Sequence, residues 1–127
     1  MMVLQDFKND LLTLHVEECQ DQSGEIIRVH WLGRASMRDP SNELGSFFTA
    51  IEERAISSKK SVVFDFTKLD HFNSSTIVAV MRMIRRLDHK MIPFTLIYSQ
   101  KLKWQSMTFD ALKQFQGPDR LLHLHGH

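Results

Sequence analysis

The sequence predicts an α/β domain built on a mixed β-sheet, and three observations carry that prediction. Short apolar runs typical of strands alternate with longer segments whose apolar residues recur at helical spacing. These segments follow in the order β, β, α, β, α, β, α, β. Strands that are joined through helices run parallel, with right-handed crossovers. We therefore expect a mixed sheet of four to five strands, with parallel central strands and helices packed on it.

The first half of the chain predicts a hairpin and then a helix. Residues 11–16 and 25–32 have the pattern of strands, and the polar segment 20–24 predicts the turn between them. Asp39 and Pro40 suit the N-cap and first position of a helix that ends near Ser57. The apolar residues that recur along this helix are Leu44, Phe47, Phe48, Ile51 and Ala55.

The second half repeats the strand–helix alternation. Residues 62–66 predict a buried strand, and from Ile77 the period becomes helical, with a predicted core stripe of Ile77, Val80, Met81, Ile84 and Leu87. Residues 92–98 predict another strand, with Pro93 near its beginning. The last helix is marked by Leu102, Phe109, Leu112 and Phe115 and stopped by Gly117-Pro118; a final apolar run contains Leu122 and Leu124.

Length and composition restrict the class of protein. With 127 residues, of which 43% are hydrophobic, the chain suits one domain over residues 1–127. Its 16 basic and 15 acidic residues give no overall field that would favour nucleic acid or an anionic membrane. The single Cys19, the absence of a signal-peptide pattern and the lack of an apolar run of roughly 20 residues predict a cytoplasmic protein without membrane insertion.

A polar cluster stands where the central helix begins. Asn73, Ser74, Ser75 and Thr76 place a carboxamide and three hydroxyls after the 62–66 strand and its loop. These residue types cap helices, so the cluster can be purely structural. The same position also favours an added phosphate, because the free N–H groups and the dipole at a helix N-terminus attract negative charge.

The segment 61–87 resembles the STAS domain, the fold of bacterial anti-sigma factor antagonists. That family's pattern is an apolar strand ending in Asp, a short loop, and Asp-Ser-Ser-Gly-Leu opening a helix; here residues 73–77, Asn-Ser-Ser-Thr-Ile, fill the slot. The resemblance extends more weakly over residues 11–124. It implies phosphorylation of Ser75. An Asn-Thr-Ser-Ser-Ile pattern in the SiaC-type regulatory phosphoproteins is also similar, and that alignment implies Ser74.

The resemblance implies a non-enzymatic partner-switching regulator without a cofactor. Its expected partners are a regulatory serine kinase of the histidine-kinase-like ATPase class and a PP2C-type phosphatase. The expected partner-binding residues are Asn73, Thr76, Arg82, Arg85 and Arg86, although arginines on an amphipathic helix can equally be a solvated face. An alternative is a constitutive STAS subunit that docks on an ABC transporter ATPase, in which phosphorylation has no part.

Catalytic and metal-binding patterns are weak. His71 lies three residues before Ser74, but no nucleophile-elbow pattern, oxyanion glycine or orienting acid accompanies it. The five glycines are dispersed, so no Gly-rich phosphate loop is present. His123, His125 and His127 would share a face if the last strand reached the terminus, but no pattern of further ligands supports them. We expect neither catalysis nor a metal site.

Overall fold

The computed structural model describes residues 4–22, 24–115 and 121–127. The strands are β1 (Phe7–Lys8), β2 (Leu12–Asp21), β3 (Gly24–Ala35), β4 (Ser61–Asp65), β5 (Leu69–Phe72), β6 (Phe94–Tyr98) and β7 (Leu122–Gly126). The helices are α1 (Pro40–Glu43), α2 (Gly45–Ser58), α3 (Ser74–His89) and α4 (Lys103–Leu112), which is followed by a 3₁₀ turn, Lys113–Phe115. Ser23 in the predicted turn and the predicted stop at Gly117-Pro118 lie outside the described residues.

The strands form one mixed sheet in the order β1-β2-β3-β4-β6-β7, and β5 pairs with β3 off this path. The pairs β1–β2 and β2–β3 are antiparallel, whereas β3, β4, β6 and β7 run parallel to one another. The predicted mixed sheet with parallel central strands is confirmed. In the described residues the sheet contains seven strands rather than four to five. The additional β1 and β5 have 2 and 4 residues and are too short to produce a recognisable period.

The core lies between one face of the sheet and the helices. Trp31 on β3 is fully buried, and its ring lies 4.9 to 6.4 Å from the rings of Phe48, Phe64, Phe66 and Phe72. Tilted and edge-to-face pairs at these separations add to the stabilisation from area burial. Because side chains alternate along a strand, the neighbours of these residues point to the other face, where polar side chains and histidines prevail.

Gly33 marks the point where β3 changes its parallel neighbour. Residues 26–30 of β3 pair with β4, and residues 33–35 pair with β5 after a register shift between Gly33 and Arg34. Gly33 has a φ of 95°, and a Cβ atom there would overlap the carbonyl oxygen of Leu11. Only glycine fits without moving the backbone. The shift brings the end of β5 beside Ala35, which places the start of α3.

The predicted first helix is divided in two. Asp39 caps α1 by accepting a hydrogen bond from the Asn42 N–H at 3.3 Å, and Pro40 is the first helical residue, as predicted. Leu44, with φ −102° and ψ −2°, stays in the right-handed helical region but separates the two helices, and α2 begins at Gly45. The two helices remain close, because the Phe48 N–H donates to the Leu44 carbonyl at 2.8 Å. In the described part of the chain, no helix is long and apolar enough to cross a bilayer.

Candidate functional site

Asn73 alone caps the helix that follows β5. Its Oδ1 accepts hydrogen bonds from the Thr76 N–H at 3.0 Å and from the Thr76 hydroxyl at 2.6 Å. Its Nδ2 donates to the Met37 carbonyl at 2.9 Å, and its backbone N–H donates to the Ala35 carbonyl at 2.9 Å. These bonds connect the start of α3 to the loop after β3. Because Asn73 caps the helix, neither serine is needed as a cap.

Ser74 and Ser75 are the first two residues of α3, and both are exposed. Among the described residues, neither hydroxyl has a hydrogen-bond partner, so both are open to solvent at the positive end of the helix. Thr76 differs from them, because it is fully buried and its hydroxyl is held by Asn73. Of the predicted partner-binding residues at the helix start, Thr76 is thus buried and Asn73 partly exposed.

The core face of α3 is offset from the predicted stripe. Val80, Ile84 and Leu87 are buried as predicted, but Ile77 and Met81 are only partly buried at the edge. The buried face also includes Thr76, Ala79 and Met83, which lie on the side away from Ile77 and Met81. The prediction missed Ala79 and Thr76 because small and hydroxyl side chains do not register as part of an apolar period, although they fit where a second helix approaches closely.

The predicted arginines lie on the outer side of α3 and have different surroundings. Arg82, Arg85 and Arg86 are all exposed, which agrees with their predicted position off the core stripe. The Nε of Arg86 donates to Oε1 of Glu52 on α2 at 2.8 Å. Val78, between the serines and the arginines, is an apolar side chain that is 48% exposed. The outer face thus combines hydroxyls, an apolar side chain and cations.

The structure also locates the weaker candidates. His71 is partly buried on β5 and forms no hydrogen bond to a serine in the described residues. His123, His125 and His127 are exposed and line one cavity on the sheet face opposite the core. Within the residues described, no group of three or more histidine, cysteine or acidic side chains is placed to hold a metal ion.

The sequence did not predict two residues that contribute to the site. The Met37 carbonyl anchors the Asn73 amide, and Glu52 pairs with Arg86. Met37 and Asn73 are 36 residues apart, and Glu52 and Arg86 are 34 apart. No local pattern indicates such contacts, because they depend on how β3 and α2 lie against α3.

Comparison with solved structures identifies the fold. The structure of an uncharacterised protein of the DUF3478 family from Shewanella loihica PV-4, described as having a SpoIIAA-like fold, superposes with a TM-score of 0.63 at 12% identity, over 95% of this chain and 90% of that chain. This chain has the SpoIIAA-like, or STAS-like, fold. No family model matches the sequence, and no curated protein matches it significantly.

A second structure of the same fold comes from a complex of two proteins. It is that of the diguanylate cyclase SiaD with its activator SiaC from Pseudomonas aeruginosa, and the match has a TM-score of 0.64 at 16% identity over 97% of this chain and 99% of that chain. At such identities the likeness establishes the STAS-like fold. The two exposed serines therefore open a helix that belongs to a STAS-like frame.

Proposed function

We propose that this protein is a non-enzymatic, cytoplasmic partner-switching regulator of the anti-sigma factor antagonist type, controlled by phosphorylation of Ser75 or Ser74. The observation that carries the proposal is that one residue caps α3 while its neighbours stay exposed. Asn73 makes the cap, so two exposed serine hydroxyls remain free at the helix N-terminus. The SpoIIAA-like and SiaC-containing neighbours support the regulatory class.

The fold can accept a phosphate at either serine. The helix dipole and unpaired N–H groups at an N-terminus favour a charge of about −2, so modification need not unfold α3. Arg82 lies seven residues beyond Ser75, or about 10 Å along the helix. The phosphate would therefore lie on the exposed surface at the start of α3. A partner that binds the unmodified face would meet a new, strongly hydrated dianion and dissociate.

The proposed partners are a serine kinase of the histidine-kinase-like ATPase class and a PP2C-type phosphatase. The contact surface would include the serines, Val78 and the exposed arginines of α3. A partner bound to unmodified protein and released after phosphorylation fits the activator role named for SiaC, which acts on a separate enzyme. The downstream target of this chain would likewise be a separate protein.

The decisive experiment is phosphorylation by the cognate kinase, followed by mass spectrometry of fragments that separate Ser74 from Ser75. We expect phosphate on Ser75 or Ser74, and none on buried Thr76. Ser75→Asp should weaken kinase binding partly, because a carboxylate has less charge than phosphate, and Ser75→Ala should bind constitutively.

Ser46→Asp is the matched control, because Ser46 is an exposed serine in the first turn of α2. Its affinity for the kinase should equal that of the wild type. An active kinase that modifies neither Ser74 nor Ser75, together with equal affinities for the Ala and Asp variants at both, would contradict the switch. That result would favour constitutive docking on a transporter ATPase.

A further inference from the structure

A groove runs between α2 and α3, starting near the serine end of α3. Its first section has a volume of about 370 Å³ and is lined by Phe48 and Glu52 of α2 and by Ala79, Arg82 and Arg86 of α3. Phe48 and Ala79 are buried and form an apolar floor. Arg82 and Arg86 lie along the side of the groove that α3 forms.

The groove continues past a single ion pair. A second section of about 280 Å³ is lined by Ile56, Leu87 and Lys90, and it shares Glu52 and Arg86 with the first. The 2.8 Å bond from Arg86 to Glu52 therefore crosses the groove between its two sections. Glu52 is the only carboxylate that lines either section in the described residues. Ile56, which is 41% exposed, adds an apolar side chain at the far end.

The cations of the groove have a regular spacing. Arg82 and Arg86 lie about 6 Å apart along the α3 axis, and Lys90, the C-cap residue directly after α3, follows at the same interval in sequence. Arg82 and Lys90 form no ion pair in the part of the chain that the structure describes. Arg85 lines neither section of the groove, although it is an exposed arginine on the same helix. Three cations against one carboxylate leave the groove with excess positive charge.

We propose that the α2–α3 groove binds an acidic helix of the switching partner. An apolar floor with one charged wall suits helix-in-groove recognition. A helix lying along α3 with Asp or Glu at every fourth position would repeat its carboxylates at the same interval of about 6 Å, matching Arg82, Arg86 and Lys90. This inference rests on the proposed function, because the helix is assigned to the partner that phosphorylation releases.

The groove also gives a physical reason for release. Ser75 begins the stripe that continues through Ala79, Arg82 and Arg86, since these residues are spaced by three or four positions. Ser74 begins the neighbouring stripe, with Val78 and Arg85. Phosphate on Ser75 would stand at the entrance of the groove, within about one Debye length of Arg82, and would repel an acidic helix there.

The probe for this proposal is a stapled helical peptide of about 15 residues, stapled because free helices of that length are marginal in water. It carries glutamates at every fourth position and leucines on the adjoining face, and a second peptide has glutamines instead. Affinities are measured by fluorescence anisotropy. We expect the glutamate peptide to bind at least about tenfold more tightly, a difference that shrinks as salt is added.

Charge-changing variants test whether the peptide binds in the groove. Arg82→Glu and Arg86→Glu should each weaken binding of the glutamate peptide about tenfold, whereas Lys103→Glu, a charge reversal at an exposed residue of α4 outside the groove, should alter it less than about twofold. Glu52→Gln should strengthen binding a few-fold, because it releases Arg86 and removes the competing carboxylate. Circular dichroism confirms that each variant is folded.

Equal affinities for the two peptides, or an equal loss in Lys103→Glu, would overturn the proposal. So would wild-type binding to phosphatidylserine vesicles without peptide binding, which would assign the groove to a lipid surface. Mass spectrometry of the same variants after kinase treatment separates the two proposals. Phosphorylated Ser75 in a protein that binds neither peptide would leave the switch standing and remove only the acidic helix.

Discussion

At the scale of single residues, Asn73 decides what the neighbouring hydroxyls can do. Both ends of its side-chain amide are engaged, one with Thr76 and the other with the Met37 carbonyl. A serine in the capping position would turn its oxygen toward the helix N–H groups and away from a kinase. With the cap one residue earlier, Ser74 and Ser75 keep their hydroxyls on the surface.

Replacing Asn73 should therefore affect stability more than replacing either serine. Asn73→Ala removes the cap and the bond to Met37, and we expect a loss of about 2 kcal/mol in the free energy of unfolding. Ser75→Ala should change it by less than about 0.5 kcal/mol. Urea denaturation measures both. A destabilised Ser75→Ala would show that the serine, too, supports the helix start.

His15 provides a residue-scale prediction about pH. A hydrogen bond from its Nδ1 to Oδ2 of Asp6, 2.8 Å long, raises the pKa of His15 above its ordinary value of 6.5. Asp6→Asn keeps the side-chain shape but removes the negative charge, so the pKa of His15 should fall toward 6.5, as measured by NMR titration of the imidazole. Asp10→Asn, at an exposed carboxylate in the same segment, is the control and should leave the pKa unchanged.

The sign of the stability effect follows from that direction. A raised pKa means that the folded state binds the proton more tightly than the unfolded state. The part of the wild-type advantage over Asp6→Asn that comes from His15 should be fully present below pH 6.5, while the carboxylate stays ionised, and should be lost as the pH rises through the folded-state pKa of His15. An advantage that grew with pH would contradict the pairing.

At the scale of elements, α4 stabilises the turn between β4 and β5, and β5 leads to the start of α3. Gln105 on α4 is fully buried, and its Nε2 donates to the carbonyls of Phe66 at 2.6 Å and Leu69 at 3.0 Å. Its Oε1 accepts from the Ser99 N–H at 2.8 Å. One side chain thus satisfies backbone groups at the ends of β4 and β6 and at the start of β5.

Gln105→Leu should be strongly destabilising for this reason. Leucine has a similar size but removes three hydrogen bonds, and the Phe66 carbonyl then keeps only the bond from the Leu69 N–H, so we expect a loss of about 3 kcal/mol in urea denaturation. Gln114→Leu, at an exposed glutamine just beyond α4, is the control and should be close to neutral. A change below about 1 kcal/mol in Gln105→Leu would mean that water replaces the amide.

At the scale of the whole molecule, the parallel sheet brings distant segments together. The pairing of β3 first with β4 and then with β5 sets Ala35 beside the start of α3, and the packing of α2 on the same sheet face sets Glu52 beside Arg86. The candidate phosphosite and the groove are both consequences of this arrangement. That the chain forms one domain over residues 1–127 remains a prediction.

The amino-acid sequence by itself determined the alternation of strands and helices, the hairpin, the position of Pro40 and the polar cluster at the start of α3. These features depend on local periods of two or 3.6 residues and on the conformational preferences of Pro, Asn and Ser, which a single sequence displays. The strands β1 and β5 are too short to create a period, so the sequence could not predict them. The break at Leu44 involves a single residue and leaves no mark on the helical period.

Only the tertiary structure decided which cluster residue caps the helix, which are exposed, and which arginines share a groove. Asn73, Ser74 and Ser75 have similar capping preferences, and only Asn73 is also held by a contact from outside the segment, the Met37 carbonyl 36 residues away. Arg82 and Arg85 look alike on a helical surface, and α2 made the difference, because only Arg82 faces it. Such choices depend on contacts between segments that are far apart in the chain, and no local pattern encodes them.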